Sequence, residues 1–377
     1  MRIGIEAQRL FRPKKHGMDI VALELIKAIQ RMDTEHEFFV FVKPDEDDKI
    51  LHDTDNVKII QLKGFTYPLW EQIVLPFAVK KYNLDVLHCT ANTAPINCPV
   101  PLIVTLHDII FLEKLHFLQG TMYQRFGNLY RRWNVPRLLD LCETIVTVSD
   151  FERARIQHHF HLAKEKVVAV HNAVGAHFRR ISDVGELAIA KEKYNLPDRF
   201  IFFLGNTDPK KNVRGVVSAL GELKKNGKLN IPLVMPDLDK EYLLRIMREV
   251  GASELREDIL LCGYIPNAEL PAILNQATLF LYPSLRESFG IPLLEAMACG
   301  VPVITSNTAS MPEVAADAAA FVDPFNPHTI AQKIDELLND EEQCRELALK
   351  GLERAEDFSW DITAQKMIKI YENTKKN

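Results

Sequence analysis

Two glutamates eight positions apart, Glu287 and Glu295, frame the segment of this chain best suited to chemistry: Tyr282-Pro-Ser-Leu-Arg-Glu-Ser-Phe-Gly-Ile-Pro-Leu-Leu-Glu-Ala-Met-Ala-Cys-Gly300. Pro292 fits the first turn of a helix, where a missing N–H costs nothing, and Gly290 lets the backbone approach a ligand closely. The amides of Phe289, Gly290 and Ile291 then point at whatever sits beyond the helix, where a diphosphate suits both them and the helix dipole. Glu295, about one turn inside, is placed to accept from a ribose hydroxyl pair, and Glu287, outside the helix, from a second hydroxylated group. Two carboxylates around one anion-binding helix end therefore point to a nucleotide linked to a sugar. Taken singly, each glutamate reads more simply as a solvated surface residue; it is their setting that argues otherwise. Lys210 and Lys211 add two ammonium groups after a strand, with Asn212 as the cap of the next helix. His107 ends another apolar run, where an isolated histidine is commonly structural.

The elements that must position these groups are legible as short β-branched runs alternating with helical patterns, the signature of parallel α/β layers. The first half predicts strands at 2–5, 38–42, 57–60, 86–87, 103–106, 144–148 and 167–170. Its first helix shows Met18, Val21, Ala22, Leu25 and Ile29 on one face. A polar break follows at about 172–198, with Gly175, Gly185 and Pro197. A second series then predicts strands at 200–204, 233–235, 259–261, 279–282, 303–305 and 321–322. The expected organisation is a first Rossmann-like domain over 1–172, a linker over 173–198, and a second Rossmann-like domain over 199–355. A final helix, 356–377, is expected to cross back to the first domain. Ligands of such sheets bind at the carboxyl ends of the strands, which is where Gly17, His107, Lys210, Lys211, Tyr264 and Glu287 fall.

Composition narrows the field. The 377 residues carry 46 Lys and Arg against 51 Asp and Glu, a formal charge of −5, with 47% hydrophobic residues. That is ordinary globular usage, without the basic footprint of a nucleic-acid binder. Six cysteines form no C-x-x-C pair, which favours a reduced, intracellular chain over a disulfide framework or a zinc site. The charged start does not read as a signal peptide, and no run approaches the ~18 apolar residues of a membrane span. The expected location is cytoplasmic, with peripheral contact to the inner face of the membrane left open. Asp237-Leu-Asp239 has the spacing of a metal-binding pair, but Lys210, Lys211 and the helix dipole already supply positive potential, so no metal is expected. The stretch 123–139 carries Arg125, Arg131, Arg132 and Arg137 without a carboxylate. A basic helix meeting anionic lipid and a solvated helix face fit it equally.

Glu-Ser-Phe-Gly-Ile-Pro-Leu-Leu-Glu resembles the E-x7-E motif of family 4 retaining glycosyltransferases. Further signals match in order along almost the whole chain: Trp70-Glu-Gln-Ile-Val-Leu-Pro76, Val104-Thr-Leu-His107-Asp108, Val146-Thr-Val-Ser149, Gly205-Asn-Thr-Asp-Pro-Lys-Lys-Asn212, Cys262-Gly-Tyr-Ile and Ser310-Met-Pro-Glu-Val. The resemblance implies the GT-B fold, two Rossmann-like domains facing a central cleft, with acceptor on the first and nucleotide sugar on the second. It implies donor contacts from Gly17, Asn206, Lys210, Lys211, Tyr264, Ser288, Phe289, Gly290, Ile291 and Glu295, and catalytic roles for Lys211, Glu287 and His107. Asp108 is then expected to orient the His107 ring. The chain departs from the common pattern at Lys210, where arginine is frequent, at Asn206, and at His16, where many members have a second glycine. The implied reaction moves a hexose with retention from a GDP- or UDP-linked donor to an acceptor hydroxyl, with the departing phosphate taking the acceptor's proton. No separate cofactor is implied. Mannose is favoured over glucose or N-acetylhexosamine, and a glycan or lipid-linked acceptor in cell-surface glycan assembly is expected. The competing readings are a nucleotide-sugar epimerase and a non-catalytic nucleotide-sugar-binding protein.

Overall fold

The computed structural model describes residues 1–112 and 122–374, without the side chains of 122–125; Arg125 therefore lies outside the described residues. The chain divides into two compact units, Met1–Asn172 together with the stretch from Trp360 on, and Ala173–Ser359.

The first unit is built on seven parallel strands: β1 (Arg2–Glu6), β2 (Glu37–Val42), β3 (Val57–Gln61), β4 (Val86–Cys89), β5 (Leu102–Thr105), β6 (Thr144–Thr147) and β7 (Val167–Ala169). Their order in the sheet is β3-β2-β1-β4-β5-β6-β7. Helices cover both faces of such a sheet, so the strands read as near-continuous apolar runs. In β2, Phe38, Phe39, Val40, Phe41 and Val42 are all buried. Helix Gly17–Arg31 buries Ala22, Leu25 and Ile29 as its spacing predicts, and also Leu23, Ile26 and Ala28, so its apolar face is wider than expected. Helix Trp360–Thr374 belongs to this unit. Tyr371 Oη lies 2.8 Å from His88 Nδ1 on β4, and Thr363 Oγ1 donates to the His171 carbonyl at 2.9 Å.

The second unit holds β8 (Ile201–Phe203), β9 (Leu233–Met235), β10 (Ile259–Leu261), β11 (Leu279–Tyr282), β12 (Val303–Ser306) and β13 (Ala320–Val322), all parallel, in the order β10-β9-β8-β11-β12-β13. The segment 173–198, read as a linker, clusters with this unit. It carries helix Val184–Tyr194, capped by Asp183, whose Oδ1 accepts from the Gly185 amide at 2.8 Å. Tyr194 is buried, and its Oη donates to Glu269 Oε2 at 2.7 Å.

Both sheets reverse their strand order once, between β1 and β4 and between β8 and β11. At such a point the loops leaving the two neighbouring strands diverge and open a crevice at the carboxyl ends. In the second unit the loops after β8 and β11 are tied together by Asn212. Its backbone is left-handed, with φ 60°, and its side chain accepts from the Gly215 amide at 3.2 Å, capping helix Val213–Lys225. Its Nδ2 donates to the Pro283 and Pro324 carbonyls at 3.0 and 2.7 Å. The Leu285 amide donates to the Lys210 carbonyl at 2.8 Å, closing the same seam.

Asn212→Gly keeps the left-handed backbone accessible and removes three hydrogen bonds, each contributing about 1 kcal/mol. Urea unfolding is expected to show a loss of about 2–3 kcal/mol. Asn212→Ala adds left-handed strain of about 1 kcal/mol and is expected to unfold at still lower urea. Equal stability of wild type and both variants would show that Asn212 does not hold this seam.

Candidate functional site

The Asn212 seam sets Lys211 against the loop that follows β11. Lys211 Nζ donates to Glu287 Oε1 at 2.6 Å and to Tyr282 Oη at 2.9 Å. The ammonium also stands 5.0 Å from the centre of the Tyr282 ring. Both partners of the ion pair are largely sheltered, with side chains 16% and 11% exposed. Withdrawing two charges from water is costly, and the cost is offset only where geometry is good and the remaining valences are satisfied. Here the phenol oxygen supplies a second acceptor for the ammonium.

The loop that carries Glu287 is itself braced. Ser310 Oγ is buried and lies 3.0 and 2.9 Å from the Glu287 and Phe289 carbonyls, which share its one proton. Thr305 Oγ1 donates to the Tyr282 carbonyl at 3.0 Å. Gly290 has φ 99°, a conformation that strains any residue with a Cβ, and a Cβ there would also displace the Met311 methyl, 2.5 Å away. It opens helix Ile291–Ala298, with Pro292 in the first turn. First-turn amides have no acceptor within their own helix and aim outward. Phe289 is buried, with its ring edge-on to Phe358 at 5.8 Å.

One turn in, Glu295 is buried, and its carboxyl is pushed up to about 7 because burial penalises the charged form; Lys211 offsets part of that rise. Glu295 is thus poised near neutrality, within the field of the same ammonium that Glu287 binds. Lys211, Glu287, Tyr282, Glu295 and the start of helix Ile291–Ala298 form one constellation, a cation and an amide-lined helix end flanked by two carboxylates. Such a group suits an anion carrying hydroxyls on either side.

The other sequence-derived candidates of this unit sit in the loops that follow β8, β9 and β10. Lys210 is directed to Asp208, 3.7 Å away, while its carbonyl is used in the seam. Asn206 Oδ1 accepts from the Asp208 amide at 2.9 Å. Tyr264 is exposed and follows β10, an edge strand two places from β8. Asp239, one of the two aspartates spaced as a metal pair, caps helix Lys240–Glu249, accepting from the Tyr242 amide at 2.7 Å.

His107 and Gly17 belong to the first unit. His107 is buried, its amide donates to Asn92 Oδ1 at 2.7 Å, and its Nε2 lies 2.9 Å from the Thr90 carbonyl. A carbonyl only accepts, so Nε2 carries the proton and Nδ1 is the ring's acceptor. Burial lowers the His107 pKa, which keeps the ring neutral. Asp108, expected to orient this ring, instead accepts from the Ile110 amide at 2.9 Å, and Thr90 does the orienting. Gly17 opens its helix into space that would admit a Cβ.

The strand reversal of the first unit gathers further groups that sequence reasoning passes over. Glu6, at the end of β1, is buried; its Oε1 accepts from the Gln8 amide at 2.9 Å, and its Oε2 has no hydrogen-bond partner among the described residues. Burial pushes its carboxyl up to about 7, with neighbouring Glu71 adding to the rise. Glu71 is also buried. Its Oε2 accepts from Tyr67 Oη at 2.7 Å and Thr93 Oγ1 at 2.6 Å, and its Oε1 from Tyr130 Oη at 2.5 Å. It sits in a single π-helical stretch, Trp70–Val74, a distortion often found where a side chain must be aimed. The sequence signal for Glu71 is its place in the Trp-Glu-Gln run; Glu6 carries none beyond a charge inside an apolar strand.

Comparison with known proteins bears on the family and the fold. Residues 16–177 match the family model described as Glycosyltransferase Family 4, and residues 186–354 the model described as Glycosyl transferases group 1. Over 273 residues the chain is 32% identical to the O-antigen chain mannosyltransferase B of Escherichia coli, a match covering 71% of this chain and 69% of that protein. It is 30% identical over 283 residues to the serotype-specific mannosyltransferase WbdA of Escherichia coli, covering 74% of this chain but only 34% of that relative. Among solved structures, that of Anabaena Alr3699/HepE in complex with UDP and glucose superposes with a TM-score of 0.75 over 99% of each chain, at 15% identity, a likeness of fold. Its two parallel sheets, each reversing once, thus have their counterpart in GT-B enzymes, and the chain belongs to the family 4 glycosyltransferases.

Proposed function

We propose that the chain is a retaining hexosyltransferase that moves mannose from a nucleoside-diphosphate sugar to a hydroxyl of a cell-surface glycan or its lipid-linked precursor. The observation that carries this reading is the sheltered Lys211–Glu287 pair beside the amides that open helix Ile291–Ala298. Mannose as the sugar is supported by the names of both Escherichia coli relatives.

In this reading the donor diphosphate lies against Lys211, Lys210 and the amides of Phe289, Gly290 and Ile291. Ser288 and Asn206 flank it, and Tyr264 borders the base. Glu295 accepts from the ribose hydroxyls, and Glu287 from a hydroxyl of the sugar while holding the Lys211 ammonium in place. Neutral His107 accepts a hydroxyl proton at Nδ1 in a hydrogen bond. As the bond from the anomeric carbon to the diphosphate breaks, negative charge grows on the leaving oxygen. Preorganised cations and amides stabilise that charge more than they stabilise the ground state. The acceptor hydroxyl attacks from the face the diphosphate leaves, its proton passes to the departing phosphate oxygen, and the anomeric configuration is kept. No metal takes part.

Lys211→Ala is expected to lower kcat by about 10²–10³, the usual effect of deleting one charge-stabilising donor, with a native circular-dichroism spectrum. Wild-type turnover is expected to persist in EDTA. Unchanged kcat in the variant, or an EDTA loss that Mg2+ or Mn2+ restores, would contradict this mechanism.

Glu295 makes a second, pH-linked expectation. In the unfolded chain its carboxyl titrates near its ordinary value of 4.5, and in the folded chain near 7. Between these values the folded state keeps a proton the unfolded state has released, so stability from this group falls as pH rises from about 4.5 to 7 and then levels off. Urea unfolding of wild type at pH 5 and pH 8 should therefore differ more than that of Glu295→Gln. Calorimetric affinity for the donor should rise through pH 7 in wild type and stay flat in the variant. Parallel profiles would show that Glu295 does not titrate against the ligand.

A further inference from the structure

The first unit leaves two rows of apolar side chains facing solvent. Leu69, Ile73 and Phe77 recur four residues apart along the continuous helical segment that runs from Tyr67 to Lys81, and all three are exposed, Phe77 by 70%. Phe126, Leu129 and Trp133 recur at three and four on helix Met122–Leu141, with Phe126 71% exposed. The rows run side by side. Tyr130, in the same row as Phe126 and Trp133, stacks on the Trp133 ring at 5.8 Å, faces Tyr67 at 6.0 Å, and donates to the buried Glu71 of the neighbouring segment. Single exposed apolar residues are ordinary, but adjacent rows of large ones mark an interaction surface.

The charge around the rows is of one sign. Between positions 63 and 81 the charged residues are Lys63, Lys80, Lys81 and Glu71, and Glu71 is buried. Helix Met122–Leu141 adds Arg131, Arg132 and Arg137 and has no carboxylate before Asp140. This contrasts with the net charge of −5 on the whole chain. The Arg137 guanidinium lies 5.2 Å over the Trp133 ring, pairing an apolar body with a charged tip. A second copy of the chain is a poor partner: a two-fold contact sets the same patch against itself and would face basic rims against each other. Among the described residues no helix is long and apolar enough to cross a membrane. A helical surface with large apolar side chains and a Lys/Arg rim suits the plane of an anionic membrane interface.

We propose that this face seats the chain on an anionic bilayer, the aromatic and aliphatic rows entering the headgroup–acyl boundary and the lysines and arginines lying at phosphate level. The inference does not rest on the proposed reaction. Within the first unit, Tyr67 and Glu71 tie the rows to Thr93, just beyond the end of β4.

The test is cosedimentation of the full chain with vesicles of phosphatidylcholine alone or with added phosphatidylglycerol, at low and high salt. Wild type is expected to bind the phosphatidylglycerol vesicles, to bind phosphatidylcholine weakly, and to lose binding as salt rises. The double variant Lys80→Gln/Lys81→Gln should lower partitioning about fivefold for each lysine removed. Phe77→Ser/Leu129→Ser should lower it by at least about tenfold, with an unchanged melting temperature because both side chains are exposed. Failure of wild type to bind phosphatidylglycerol vesicles, or equal binding by Phe77→Ser/Leu129→Ser, would overturn the proposal. So would light scattering that shows a wild-type dimer made monomeric by Phe77→Ser/Leu129→Ser, which would assign the face to a second copy.

Discussion

A lysine and a glutamate held together away from water are the constraint on which the second unit turns. Lys211 and Glu287 lie 76 positions apart in the chain and meet at 2.6 Å. They meet because β8 and β11 are sheet neighbours at the point where strand order reverses. Such a pair is a poor source of stability, since its desolvation offsets much of its attraction. Much of the surrounding structure serves to keep it placed: Asn212 fastens the two loops, Ser310 and Thr305 brace the glutamate's loop, and Tyr282 takes a second bond from the ammonium. A cation kept in position in this way needs little reorganisation when negative charge develops beside it, which is the property a glycosyl-transfer site requires.

The same topological device operates in the first unit with different chemistry. Its strand reversal collects Glu6, Glu71 and His107, all buried, with carbonyls, hydroxyls and amides as partners. Burial pushes both carboxyls upward and the imidazole downward, so each is driven toward its neutral form. Groups shifted in this way suit hydroxyls, whereas a sheltered ammonium beside first-turn helix amides suits an anion.

The strands were legible because a parallel sheet covered on both faces needs uninterrupted apolar runs, and each of the thirteen strands of the described residues overlaps a run read from the sequence. Helix Val184–Tyr194 escaped because it shows little apolar periodicity: Val184 and Ile189 face solvent, and only Ala190 and Tyr194 are buried. The E-x7-E spacing led to Glu287 and Glu295 because helix geometry and glycine conformation are local properties. Glu6 and Glu71 were not singled out, since glutamate is mostly an exposed residue and their burial depends on residues far away in sequence, such as Thr90, Thr93 and Tyr130. Asp108 misled for a similar reason. Adjacency to His107 suggested a partner, but the ring turns to a carbonyl 17 positions earlier.

In the proposed reaction Lys211 and the helix beginning at Ile291 grip a diphosphate. A crystal structure of the full chain bound to GDP, or to UDP if that nucleotide binds more tightly, tests it most directly. Diphosphate oxygens are expected within hydrogen-bond reach of Lys211 Nζ and of the Gly290 and Ile291 amides, with the ribose hydroxyls on Glu295. Nucleotide bound elsewhere, with the Lys211–Glu287 pair undisturbed and no phosphate beside it, would rule out this role for the pair.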